Sequence, residues 1–198
     1  ITVTDDNGTT ATASATIQYL PVTNTSDAPD TYYATIQAAI NAADPGETIT
    51  VCAGTYAENI IVDESVTLLG PNSAVNACSG TRVAEAIVVP ATAAISSGEV
   101  FHVAASNVTI SGFTIDGDNP ALTSGYTSTN GADIDAAEGV TVYETGINNL
   151  TVSNNIIQNL SYFGVTLYDY PAGVPSTGHT IADNKIRNMG TYDAGSGI

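Results

Sequence analysis

Two stretches of acidic residues carry the spacing of oxygen-ligand chemistry. Asp116-Gly117-Asp118-Asn119 sets hard oxygen donors at i, i+2 and i+3, as a Ca²⁺ loop does. The same residues also make a solvated turn before Pro120, so both readings stay open. Asp133 and Asp135 fall on one face of an extended segment and are candidate ligand-binding carboxylates. Tyrosines crowd the last third of the chain, and Tyr168 and Tyr170 are candidate platforms for the apolar face of a sugar. High β propensity accounts for the same tyrosines without any ligand. His102 lies in Val100-Phe101-His102-Val103, an alternating strand, and reads as a surface strand histidine.

The bases are only Arg82, Lys185 and Arg187, against 20 Asp and Glu, for a formal charge of −17. Lys185 and Arg187 flank Ile186, whose inward position turns them outward to solvent. So few cations argue against nucleic-acid binding, which needs clustered Lys and Arg to neutralise phosphates. They disfavour an anionic membrane surface as well, and no apolar run is long enough for direct membrane insertion. Cys52 and Cys78 are the only cysteines, with no histidine near them in sequence to complete a zinc set. In a chain of secreted composition they are expected to form one disulfide, which would stabilise by roughly 3–4 kcal/mol.

These residues need a scaffold, and the chain supplies one by repetition. Asn107-Val108-Thr109-Ile110-Ser111 aligns with Asn149-Leu150-Thr151-Val152-Ser153, 42 positions on, and Ser65–Gly70 precedes the first by another 42. Leu150–Ile157 recurs in His179–Ile186 at an offset of 29, and Gly139–Tyr143 recurs in Gly164–Tyr168 at 25. Such spacings fit one coil of two or three short strands plus loops of variable length, the pattern of a right-handed parallel β-helix. In the shared unit Val, Ile and Leu alternate inward and an Asn bends the chain in the left-handed region. Stacked coils would bring the Asn155 and Asn184 amides into one hydrogen-bonded ladder. An antiparallel sandwich would need hairpin signals every 8–12 residues or so, and these are scarce.

Ahead of the repeats, Ile36, Ala39, Ile40 and Ala43 share one helical face, with Thr35 as N-cap and Asp44-Pro45-Gly46 as the stop. An amphipathic helix over residues 35–43 is expected to cover the first coil's open end. The string TIQAAINAADPGETITVCAGTYAE, followed by VTLLG, is similar to the first coils of the pectin-lyase-like superfamily, pectin methylesterases in particular. The resemblance runs from about residue 33 onward and implies the fold far more than the function.

It also implies catalytic patterns to look for. Asn130, Asp133 and Asp135 faintly match the first polygalacturonase motif, and Gly178-His179 gives half of the third. Ser161-Tyr162-Phe163 stands where the acidic pair should be, and no lyase or pectin methylesterase set is complete. Glycosidases of this fold need two carboxylates about 5–9 Å apart.

Residues 1–20, ITVTDDNGTTATASATIQYL, alternate as two strands around Asp5-Asp6-Asn7-Gly8. This strip resembles the last hairpin of bacterial Ig-like or hyalin-type repeats, and the repeats of gliding-motility adhesins, with Thr9 or Thr10 where those carry Cys. Residues 21–31 read as a linker and 32–198 as the β-helix, cut at its C-terminal side. The expectation is a structural or adhesive module, covalently part of a longer secreted bacterial cell-surface protein. It would bind glycans or surface polysaccharide through loops such as 116–136 and 169–178, requiring no cofactor and with Ca²⁺ as the candidate ion. The alternative is a polysaccharide-active enzyme whose catalytic residues lie in the 116–136 loop or beyond residue 198.

Overall fold

A computed structural model describes residues 2–4, 7, 10–12, 19–128, 130–168 and 174–190. The chain is all-β, with almost no helix, and most of its strands lie in parallel stacks. β1 (Thr2–Thr4) and β2 (Thr10–Thr12) form an antiparallel pair, with Val3 opposite Ala11.

Residues 22–33 correct the expected linker. β3 (Val22–Asn24) pairs antiparallel both with β4 (Thr31–Tyr33) and with the strand that follows the helix. Val22 and Asn24 are buried, and the Asn24 amide donates to Glu47 at 2.6 Å. Three residues are too few for a period of two to stand out in sequence.

The helix α1 (Ile36–Ile40) is shorter than the expected span. Thr35 caps it as foreseen, its hydroxyl accepting from the Ala38 N–H at 3.1 Å. The Glu58 carboxylate accepts from the Ile36 and Gln37 N–H groups at 3.0 and 2.9 Å. Ala42 and Ala43 instead bond three residues back, to Ala39 and Ile40, which tightens the chain into a turn.

From there the chain visits three sheets in a fixed order. The first pass is β5 (Thr48–Val51), β6 (Gly54–Ala57) and β7 (Ile60–Val62). The second is β8 (Thr67–Leu69), β9 (Ala86–Val89) and β10 (Ala94–Val103). The third is β11 (Thr109–Ser111), β12 (Thr114–Asp116) and β13 (Ala136–Val142). The fourth is β14 (Thr151–Ser153), β15 (Ile156–Gln158) and β16 (Phe163–Leu167), and the fifth begins with β17 (Thr180–Ala182) and β18 (Lys185–Arg187). Each strand pairs in parallel with the equivalent strand of the next pass. The registers are those of the sequence offsets: Thr109 faces Thr151, Thr151 faces Thr180 and Val140 faces Val165.

One or two inward side chains per short strand build the core. Ile49, Leu68, Ile110 and Val152 stack in the first sheet, Val88, Ile115 and Ile157 in the second, Ile60, Phe101, Val140 and Val165 in the third. Each such burial is worth roughly 1.5–3 kcal/mol, enough to hold strands of three residues that have no stability alone.

The turn between first and second sheets holds the expected ladder, with the Asn155 amide donating to Asn184 Oδ1 at 3.2 Å. The left-handed bend, however, belongs to the residue before it: Gly112, Asn154 and Asp183 have φ of 84°, 58° and 56°. The ladder Asn uses its side chain for hydrogen bonding, and its neighbour does the turning.

A strap over residues 71–83 climbs outside this corner. Ser73 O accepts from the Ser111 hydroxyl and the Asn154 amide at 3.1 and 2.6 Å, and the Ala77 N–H reaches Asp183 O at 3.0 Å. A Cβ on Gly112 would stand 2.1 Å from Ser73 N, so only glycine admits the strap there.

The strap also corrects the expected disulfide. Cys52 and Cys78 are both free thiols. Cys52 follows β5 in the first pass, while the strap carries Cys78 Sγ to 3.3 Å from Asn184 O in the fifth. Four strand spacings separate those passes, about 19 Å at ~4.8 Å each. A bridge needs Cα atoms within about 7 Å.

Candidate functional site

The residues singled out in the acidic stretches are spent on the loop between β12 and β13. Asp116 Oδ1 accepts from the Asp118 N–H at 3.1 Å and the Asn159 amide at 2.6 Å, and Oδ2 from Gln158 at 2.6 Å. Asn119 Oδ1 accepts from the Ala121 N–H at 3.0 Å, and its amide donates to Pro90 O at 2.8 Å. Asp133 grips the Ser124 N–H and hydroxyl at 2.8 and 3.0 Å. Asp135 is fully buried and takes the Asn119 N–H at 3.0 Å on one oxygen, while the other has no partner. Burial, followed by mutual repulsion within this group, raises the Asp118 carboxyl above its usual range. Burial likewise raises Asp135, against the Asn119 hydrogen bond. Asp116, Asp133, Asp135 and Asn119 thus knot a loop, and among the described residues no three His, Cys, Asp or Glu side chains are arranged to hold a metal ion.

The other sequence candidates scatter. Tyr170 lies outside the described residues. Arg187 donates to Gln158 at 2.8 Å, at the fifth pass, and Arg82 is tied to the strap. Tyr168, by contrast, follows β16 directly: its N–H donates to Val142 O at 2.8 Å, and its side chain is 57% exposed.

That strand leads to a cluster the sequence reading missed. On the third sheet Glu99 of β10 pairs in register with Glu138 of β13, and His102 with Thr141. The register is irregular here: five residues of β10 after Ala94 match two of β13 after Ala136, a bulge that re-aims the strand. His102 lies between two carboxylates, Nδ1 3.0 Å from Glu99 and Nε2 2.8 Å from Glu144. The Tyr143 ring meets His102 edge-on at 5.8 Å, and its hydroxyl donates to Glu138 at 2.5 Å. Because Val142 pairs with Leu167, Tyr168 falls one pass beyond Tyr143 on the same sheet.

Burial works against the charge on His102, but the hydrogen bonds to Glu144 and Glu99 win and raise its pKa above 6.5. Burial alone would raise Glu144, and the His102 hydrogen bond brings it below the usual range. Glu138, only 7% exposed, goes the other way: burial raises it, and nearby Glu99 adds to this against the Tyr143 hydrogen bond. One face therefore carries an imidazole whose charged form is favoured, one carboxyl pushed up and one pushed down. The sole sequence signal was the 42-residue repeat, which brings Glu144 to His102 across successive passes. Alternation had assigned His102 correctly to an outer strand face without revealing its partners.

These shifts set a pH dependence. Asp118, Asp135, Glu138 and His102 all have raised values, so above their ordinary pKa values the folded chain binds more protons than the unfolded. Stability therefore falls as pH rises through that window. Glu144, lowered, acts oppositely, and only as pH drops below 4.5. The melting temperature is expected to be higher at pH 5 than at pH 8, as read by circular dichroism. His102→Gln should abolish the part of the fall above pH 6.5. A wild-type melting temperature that is flat or rising over this range contradicts the assignment.

In comparison with known proteins, residues 22–198 fit the family described as "Protein of unknown function (DUF1565)". No curated protein and no solved structure matches the chain.

Proposed function

We propose that this chain, which belongs to the DUF1565 family, is a right-handed parallel β-helix of the pectin-lyase-like type. In this reading it serves as a structural and adhesive module of a secreted bacterial surface protein, and α1 caps its first coil. The ordered visits to three sheets and the Asn155–Asn184 ladder support the coil. Ile36, Ala39 and Ile40, buried in the common core beside the first pass, support the cap.

The module binds glycans on the outer face of the third sheet. The observation that carries this is the row of Glu99, His102, Glu138, Tyr143 and Glu144, joined by hydrogen bonds and ring contact on the third-sheet strands, with exposed Tyr168 beside it. Preset polar groups with a neighbouring aromatic ring fit sugar hydroxyls and the apolar face of a pyranose. In the loop of residues 117–135, by comparison, Asp133 is committed to Ser124 and one oxygen of Asp135 to Asn119.

A second reading, glycoside hydrolysis, has its own support in two carboxyl groups driven apart on one face: Glu138 up and Glu144 down. A single experiment addresses both. On a glycan array the wild-type chain retains specific glycans, and Glu144→Ala with Tyr143→Ala weakens retention about tenfold or more without loss of the circular dichroism spectrum. Equal retention by the double variant rejects the face as the binding site. Reducing ends released from a retained glycan, and lost in Glu138→Gln, favour the hydrolase.

A further inference from the structure

We infer that the third-sheet face takes uncharged polysaccharide and excludes uronate and sulfated glycans. The inference rests on the binding reading above and adds the ligand's charge class.

The argument is charge complementarity. Every potentially charged group in the cluster is a carboxylate except His102, and its two ring nitrogens are held by Glu99 and Glu144 at 3.0 and 2.8 Å. No other cation is within this face. Arg82 lies in the strap, bound to Glu85 at 2.6 Å, and Lys185 and Arg187 belong to β18 of the second sheet. The sequence holds only these three Lys and Arg in a net charge of −17. A sugar carboxylate or sulfate on Glu99, Glu138 and Glu144 would meet like charge with no counter-ion from the protein. A bridging divalent cation would need a ligand set, and no group of three His, Cys, Asp or Glu arranged to hold one occurs among the described residues.

A neutral sugar meets the reverse situation. Its hydroxyls are donors, and ionised carboxylates are the strongest acceptors available to them. Glu144 has the most exposed side chain of the three, at 44%; its Oε1 is held by His102 at 2.8 Å, and its Oε2 is buried without a partner, an acceptor that a sugar hydroxyl would satisfy. Tyr168, one pass beyond Tyr143 and 57% exposed, offers an apolar surface for the flat side of the ring. Polar groups then fix orientation while the aromatic ring contributes most of the buried area.

The test is calorimetric titration of the full chain with xyloglucan, glucomannan and laminarin as neutral probes, and with polygalacturonate and alginate as acidic ones. Each is run at low and high NaCl, with and without CaCl₂. At least one neutral glycan is expected to bind with little salt dependence. The acidic glycans should bind at least about tenfold more weakly at low salt, and added NaCl should narrow the gap by screening the repulsion. Tyr168→Ala should weaken neutral binding about tenfold. Tighter binding of an acidic glycan, with or without Ca²⁺, overturns this inference and leaves the binding reading standing. Absence of binding to all five removes both. Unchanged neutral affinity in Tyr168→Ala overturns the assignment of that ring.

Discussion

Asn155→Leu is expected to lower the free energy of unfolding by about 3 kcal/mol, measured by urea titration followed by circular dichroism. Leucine nearly preserves the volume and side-chain shape, so cavity formation contributes little. What is lost is a pair of fully buried hydrogen bonds, together with the longer ladder contact to Asn184 at 3.2 Å. Asn155, fully buried, accepts the Phe113 N–H on Oδ1 at 2.9 Å and donates its amide to Ile110 O, also at 2.9 Å. Ile110 of β11 and Phe113 of the turn after it are both fully buried, so neither recovers a bond to water. Each orphaned group costs about 1–3 kcal/mol, and the added apolar burial offsets part of the sum.

Asn184→Leu is the control. Asn184 is only half-buried; its amide donates to Val152 O at 2.7 Å and its Oδ1 accepts the Asn155 N–H at 2.9 Å. Water can reach both bonds at this half-exposed end, so the expected loss is about 1–2 kcal/mol. Equal losses in the two variants would mean that the ladder acts through local turn propensity and not through burial.

The ladder also shows how far the sequence could be read. The repeated Asn after a Val-Thr-Ile unit announced the turn, and the offsets of 42, 29 and 25 became the strand registers without adjustment. That follows from geometry: strands stacked in parallel must repeat inward side chains at equivalent positions, and a repeat in the fold imprints itself on the chain. What does not repeat left no such mark. The strap over residues 71–83 occurs in one pass, and its contacts to Ser111, Asn154 and Asp183 lie far off in sequence. Cys78 was therefore placed near Cys52 by its number and not by its position in space. The cluster on the third sheet was half visible. His102 and Glu144 are separated by one repeat of 42, but the bulge between Ala94 and Glu99 breaks the alternation that would have placed Glu99 beside them. Asp133 and Asp135 stand out by chemistry and by a spacing of two, but carboxylates so spaced serve loop hydrogen bonds as readily as ligands.

Arg82→Ala should cost about 3–5 kcal/mol and release the strap, although Arg82 touches no proposed ligand site. Its guanidinium pairs with both oxygens of Glu85, at 2.6 and 2.9 Å, and its remaining N–H groups donate to three carbonyls. These are Val75 O within the strap, Asn154 O in the fourth-pass turn and Phe113 O in the third, at 3.3, 2.7 and 3.3 Å. The side chain is 10% exposed and that of Glu85 21%, so alanine leaves a carboxylate in a poorly hydrated corner without its counter-charge. A rim ion pair would lose less than about 1 kcal/mol and would weaken in salt. This one should be largely insensitive to NaCl because solvent scarcely enters it. Arg82→Met with Glu85→Leu separates the two contributions. Removing both charges should recover at least half the loss, since the penalty of the single variant is mainly the stranded Glu85. The bonds from Arg82 to the two turns are absent in either case, so amide exchange over residues 72–80 should stay fast in the double variant even as stability returns. If exchange there slows again, the strap is held by Asn72, Asn76 and Ser73 alone, and Arg82 serves only to neutralise Glu85.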